Sequence, residues 1–319
     1  MKNRMHKTIL ILMFCMAPFG IAMAASRQQQ LGQVIHKKSS LYNSIFVYKD
    51  GSIVSLKFGK RATLNLQSQV DLNDPRRHML EYTTMTFCGL FYKPQPQRML
   101  VLGLGGGVIP REMHHHFPQL QIDVAEIDPD IPPVAARFLG FHEDEKLKVH
   151  VDDGRMFIKK QLRCNPVPKY DMIILDAFNG DYIPFHLMTK EFLQEVKGVL
   201  ADDGVVIANV FYTNRLFDAE FKTFLSVFGR SQAFFGAVSG NAMLVSPGPA
   251  CPILTEQEAV EHAQQLQQKH NLSFDLIEVA QMLRPDVHPD RRAKVLTDDV
   301  APVNWLREQE TKKFSSDIP

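Results

Sequence analysis

Residues 99–128, MLVLGLGGGVIPREMHHHFPQLQIDVAEID, constrain the fold more than any other part of the chain. Residues 99–102 are an aliphatic run too short for a helix, the signature of a strand buried on both faces. A turn follows with Gly103, Gly105, Gly106 and Gly107. Pro110 and Glu112 suit the first turn of a helix, where proline loses no hydrogen bond and an acid meets the positive end of the dipole. A second apolar run, residues 122–127, carries Glu126, with Asp128 just beyond it. Strand, glycine turn, helix, strand and acid in that order form the nucleotide-binding half of a doubly wound sheet.

The spacing narrows the ligand. A dinucleotide fingerprint, G-x-G-x-x-G, needs glycine at position 108, where the chain has Val108. The form present is G-x-G-x-G at Gly103, Gly105 and Gly107. It suits a ligand with no pyrophosphate to seat on the helix, such as S-adenosylmethionine or a relative, although dinucleotide and P-loop turns share much of the pattern. Glu126 lies 19 residues past Gly107, close to the ~20 expected of a ribose-binding acid. A packing role for the glycines and a solvated strand-end role for the acids remain open as the simpler alternatives.

The N-terminus addresses location. Lys2, Arg4 and Lys7 precede an apolar run over 9–16, and Ala22-Met23-Ala24 resembles a cleavage site, so residues 1–24 read as a secretory signal peptide. The mature protein is then expected to be periplasmic or secreted and free of stable membrane association. An uncleaved anchor is the alternative, the apolar run being short of the roughly 20 residues a span needs. A net charge of +1 gives no argument for nucleic acid or an anionic membrane as partner. Cys88, Cys164 and Cys251 are scattered, with neither metal-ligand spacing nor a disulfide framework. His114, His115 and His116 are consecutive on a helix, point in different directions and cannot share one ion, so no metal is expected.

The chain divides into a polar lead-in at 25–40, a small β-hairpin domain at 41–72, a Rossmann-like domain at 73–250 and a helical extension at 251–319. Asp50-Gly51 between β-rich runs marks the hairpin. A strand at 62–67 and a helix at 74–87 are expected next. Beyond Asp128 come a helix at 129–139, a strand at 148–151 ending at Asp152-Asp153-Gly154, and a strand at 170–175 ending at Asp176. A loop over 176–188 and a turn at 201–204 precede a strand at 205–210. Strands near 233–235 and 242–245 complete about seven, and Thr255-Glu256-Gln257-Glu258 is a capping box. The fold class is α/β, a Rossmann-like, methyltransferase-type sheet of seven strands behind a small hairpin domain.

The segments LGLGGGVIPRE, VAEIDP, VDDGRMF, YDMIILDAF and LTDDVAPVNWL, in this order, resemble the spermidine synthase (polyamine aminopropyltransferase) family, related to S-adenosylmethionine-dependent methyltransferases. The resemblance implies decarboxylated S-adenosylmethionine, or S-adenosylmethionine itself, as co-substrate, and a small-molecule amine as acceptor. Gly103, Gly105 and Gly107 then lie against the donor's sulfonium-bearing chain, Glu126 binds ribose hydroxyls, and Asp153 meets the adenine amino group. Asp176 takes the place of the family's base, with a turn or cap role as its simpler alternative. Gln67, Tyr82, Asn179 and Asp181 fall on the acceptor side, and a homodimer is left open.

Two departures stand out. The family pattern has an acid in the glycine turn, where this chain has Gly106, and a second aspartate three residues beyond the base, where it has Asn179. Asp181 is a candidate replacement for one of the two. Three functions therefore follow from the sequence: a spermidine synthase-like transferase, an S-adenosylmethionine-dependent methyltransferase, and an exported nucleoside- or polyamine-binding protein without catalysis.

Overall fold

The computed structural model describes residues 32–59, 65–178, 183–213 and 216–300. The expected signal peptide, Asn179, Asp181 and the end of the C-terminal extension lie outside them.

Strands β1 (Gln33–Ser39), β2 (Ser44–Asp50), β3 (Ile53–Phe58) and β4 (Asn65–Asp71) form an antiparallel sheet in sequence order. Gly51, at φ +57°, closes the β2–β3 turn with Asp50 opposite Ile53. This is the tight turn that the Asp-Gly pair specifies. Strand β1 corrects the reading of residues 25–40 as lead-in, because residues 33–39 pair along β2. Its side chains are almost all exposed; backbone pairing, with no apolar face, makes it a strand. The helix expected from Asp74 starts later, as α1 (Glu81–Met85), and continues as a 3-10 helix over Thr86–Phe91. Asp74 is instead held in a turn by its N–H bond to the Asp71 carbonyl, 3.1 Å, and Leu80 is still extended.

The central unit runs β5 (Arg98–Leu102), α2 (Val108–His116), β6 (Gln121–Glu126), α3 (Ile131–Phe138), β7 (Leu147–Val151), α4 (Gly154–Leu162) and β8 (Tyr170–Leu175). It continues with α5 (Lys190–Val199), β9 (Leu200–Phe211), α6 (Leu216–Phe228), β10 (Gln232–Phe235), β11 (Asn241–Pro247), α7 (Glu256–Lys269), α8 (Leu276–Ala280) and β12 (Leu283–Arg284). The sheet order is β12-β10-β11-β9-β8-β5-β6-β7. Strands β7, β6, β5, β8 and β9 are parallel, and β11, β10 and β12 antiparallel. The eighth strand, β12, comes from the extension read as helical, so that segment also closes a sheet edge. Residues 201–204, read as a turn, bulge within β9: Tyr170 pairs with Leu200 and Met172 with Val205.

Alternation along the buried strands builds two cores. Met99 and Val101 join Ile45, Leu56 and Met113 on one face, whereas Leu100 and Leu102 join Phe192 and Phe221 on the other. The chain leaves β5 towards β6 on one side and finds β8 on the other. That reversal opens a crevice at the strand ends, where ligands of open α/β sheets bind.

Candidate active site

The ends of β5, β6 and β8 are tied together by backbone bonds. The Gly103 N–H donates to the Ala125 carbonyl at 2.8 Å and the Asp176 N–H to the Leu102 carbonyl at 2.9 Å. Gly103 has φ +96°, and a Cβ there would lie 2.4 Å from the Asp176 oxygen. Only glycine satisfies both limits. Gly103 and Gly105 face a cavity of about 480 Å³, while Gly107, at φ +72°, stands behind it as the residue that turns the chain into α2.

Glu126 is buried, and its two oxygens accept the N–H groups of Leu104, 2.8 Å, and Asp128, 2.9 Å. Burial pushes its carboxyl above the usual range, against those hydrogen bonds. Each oxygen keeps a lone pair for a ligand at the cavity wall. Asp153 caps α4 by accepting the Met156 N–H at 3.0 Å, and its other oxygen bonds His186 Nε2 at 3.0 Å. The His186 bond outweighs burial and holds the Asp153 carboxyl low. Beneath it, Arg155 donates to the His186 carbonyl, to Glu195 and to Asp298. Asp298 belongs to the LTDD segment, so that segment buttresses the wall bearing Asp153 and His186.

Asp176 ends β8. Asn241 Nδ2 donates to Asn209 Oδ1, and Asn209 Nδ2 donates to Asp176 Oδ1, each at 2.8 Å. No described residue bonds the second oxygen of Asp176. Burial raises the Asp176 carboxyl to about 7, and the Asn209 bond offsets this only in part. A carboxyl raised that far can exchange a proton near neutral pH. Tyr82 donates to the Gln67 carbonyl at 2.7 Å. Burial and then the Asp176 charge push its phenol up, so it keeps its proton at neutral pH.

Glu81, Glu126, Asp153 and Asp176 all line this cavity, and its described lining includes no Lys or Arg. Glu81 is already committed to the N–H groups of Ala237, Val238 and Ser239, at 2.7, 3.1 and 2.8 Å. Although burial pushes it up, the Ser239 hydroxyl and these N–H groups hold its carboxyl low. It fastens the β10–β11 connection along the rim. Gln67 and Tyr82 are on the wall too. Glu81, Asn209 and Asn241 were not expected there. Asn209 left a trace in the sequence as a lone amide inside the apolar run 205–210; the other two left none.

Gly106 is crowded as well. Its N–H donates to Ser68 Oγ at 2.8 Å, and a Cβ on it would lie 2.6 Å from Ser68 Cβ and 2.8 Å from Leu139 Cδ2. The three histidines diverge: His114 bonds Asp144, His115 faces Arg76, and His116 faces Glu112 at 3.9 Å. Among the described residues no group of His, Cys, Asp and Glu is placed to hold a metal ion.

Residues 79–245, just over half of the chain, match the spermine/spermidine synthase domain. A polyamine aminopropyltransferase of Vibrio vulnificus is 34% identical over 306 residues, which is 94% of this chain and 98% of that protein. The structure of human methyltransferase-like protein 13 in complex with SAH covers 67% of this chain and 97% of its own, with 27% identity and a TM-score of 0.56. Spermidine synthase from Thermotoga maritima shares the fold, with a TM-score of 0.59 at 18% identity over 80% of this chain and 85% of that one. The chain belongs to the spermine/spermidine synthase family. It is a transferase of the polyamine aminopropyltransferase type.

Proposed function

We propose that the chain moves an aminopropyl group from decarboxylated S-adenosylmethionine to a polyamine acceptor, with Asp176 as the base. The observation that carries this reading is the sign of the cavity: among the described residues four acids line it, and no Lys or Arg does. Both substrates are cations, the donor through its sulfonium and the acceptor through its ammonium groups. The acceptor enters protonated and gives a proton to Asp176. Its nitrogen lone pair then forms the new N–C bond as the C–S bond breaks, and the electron pair goes to sulfur, which leaves as a neutral thioether. The leaving group needs no acid, so one carboxylate and good positioning suffice. Glu126 takes the ribose hydroxyls, Asp153 faces the adenine amino group, and Gly103 and Gly105 let the sulfonium-bearing chain lie close to backbone. Tyr82 and Gln67 flank the acceptor; Asn179 and Asp181 belong to the same side of this reading.

Methyl transfer from S-adenosylmethionine is the second reading, supported by the likeness to methyltransferase-like protein 13 and by Gly106, which offers no carboxylate to a donor's amine. Calorimetric titration with S-adenosylmethionine, its decarboxylated form and methylthioadenosine separates the two. The decarboxylated donor is expected to bind at least about tenfold more tightly than S-adenosylmethionine, a difference of roughly 1.4 kcal/mol. The reverse order favours methyl transfer, and no binding of any of the three rejects both.

Export belongs to the same proposal and rests on the pattern of residues 1–24. A reporter that is active only outside the cytoplasm, fused after residue 40, is expected to be active. An inactive reporter, with the fusion protein retained in the cytoplasm, would overturn this placement.

A further inference from the structure

Against Ala177, Ile183 and Met188 lies a second cavity of about 20 Å³, room for one water-sized group. Leu175, Phe192, Val210 and Phe224 contribute to its walls, and it shares Leu102, Ala177 and Leu187 with the active-site cavity. Among the described residues its one ionisable wall residue is Glu220 on α6, 4% exposed. The Glu220 carboxyl makes no hydrogen bond or ion pair with the other described residues, and burial alone pushes it up to about 8.

Other buried acids of the same unit are partnered. Glu126 accepts two backbone N–H groups, Asp128 accepts the Ser40 hydroxyl, and Asp218 accepts the Asp290 N–H. A carboxyl buried without a partner destabilises a fold, and an apolar side chain of similar size does not carry that penalty. The neighbours of Glu220 are aliphatic and aromatic, so packing gives no reason for an acid there. A cation arriving from the adjoining cavity does.

The geometry points to Glu220 as the anchor for a second ammonium group of the polyamine acceptor, whose methylene chain passes Leu102, Ala177 and Leu187 on its way from Asp176. This rests on the aminopropyl-transfer reading for the amine that attacks. A terminal ammonium is close to water in size and matches the small cavity. The apolar partition between the cavities matches a methylene chain. Leu187, in the 3-10 turn Phe185–Leu187, is the side chain that moves aside. A monoamine of equal length follows the same path but leaves Glu220 unpaired, and an unpaired buried group is a strong basis for discrimination.

The test is calorimetric titration of 1,4-diaminobutane, 1,5-diaminopentane and 1-aminobutane into the protein saturated with methylthioadenosine, using wild type, Glu220→Gln and Glu220→Leu. Wild type is expected to bind the diamines at least about tenfold more tightly than the monoamine, and both variants to narrow that gap to about threefold or less. Thermal unfolding accompanies it: Glu220→Leu is expected to melt at or above wild type, which separates lost recognition from lost folding. A diamine preference that persists in Glu220→Gln, or that wild type lacks, overturns the proposal. Because the readout is binding, a Glu220-dependent preference without aminopropyl transfer rejects the transfer reading and keeps the subsite. Transfer with a preference indifferent to Glu220 does the opposite.

Discussion

Asp176→Asn is expected to lower kcat for aminopropyl transfer by roughly 100- to 10,000-fold, the usual worth of a positioned general base. Donor affinity is expected to change little, because the groups assigned to the nucleoside, Glu126 and Asp153, are held by their own partners. Single-turnover rates and donor titration on the same sample make the check. A variant that keeps wild-type turnover would remove Asp176 from the chemistry.

The pH dependence follows from the same group with a definite sign. The Asp176 carboxyl is raised to about 7, and the base form is the ionised one. Turnover should therefore rise with pH through about 7, and that limb should vanish in Asp176→Asn. Stability runs the other way. The folded protein binds this proton more tightly than the unfolded chain does, so Asp176 costs stability as pH climbs from its ordinary value towards 7 and beyond. At pH 8 the asparagine variant should melt no lower than wild type, so a loss of rate cannot be ascribed to unfolding. Asparagine also leaves Asn209 its acceptor in the Asn241–Asn209 chain.

What the sequence revealed of this architecture has a physical pattern. Residues 99–102, 170–175 and 205–210 were legible as strands because the sheet is covered on both faces and their side chains are mostly apolar. Glu126, Asp153 and Asp176 were legible because strand ends in such a sheet converge on one crevice. Strand β1 was hidden by exposure, since sheet pairing needs only backbone. The Asn241–Asn209–Asp176 chain was hidden by topology. Asn241 reaches Asn209 only because β11 returns antiparallel to β9, a pairing that neither segment signals alone. Glu81 was hidden in the same way, lying in α1 but acting on residues 237–239.

Gly106→Asp, which restores the family's acid to the glycine turn, is expected to destabilise the protein by about 1–3 kcal/mol through overpacking alone. The backbone is not the obstacle, because Gly106 is absent from the positive-φ glycines that flank it at 105 and 107. Its surroundings are, since Ser68 Cβ and Leu139 Cδ2 lie within 3 Å of where its Cβ would stand. Moving Ser68 aside also gives up the bond it accepts from the Gly106 N–H. Loss of the acid is therefore coupled to β4 and to the end of α3, and reversing it at one position does not reverse it structurally. Urea unfolding of Gly106→Asp and of Gly106→Asp combined with Ser68→Gly checks this, with the second change expected to recover part of the loss. If the single variant is as stable as wild type, the crowding argument fails.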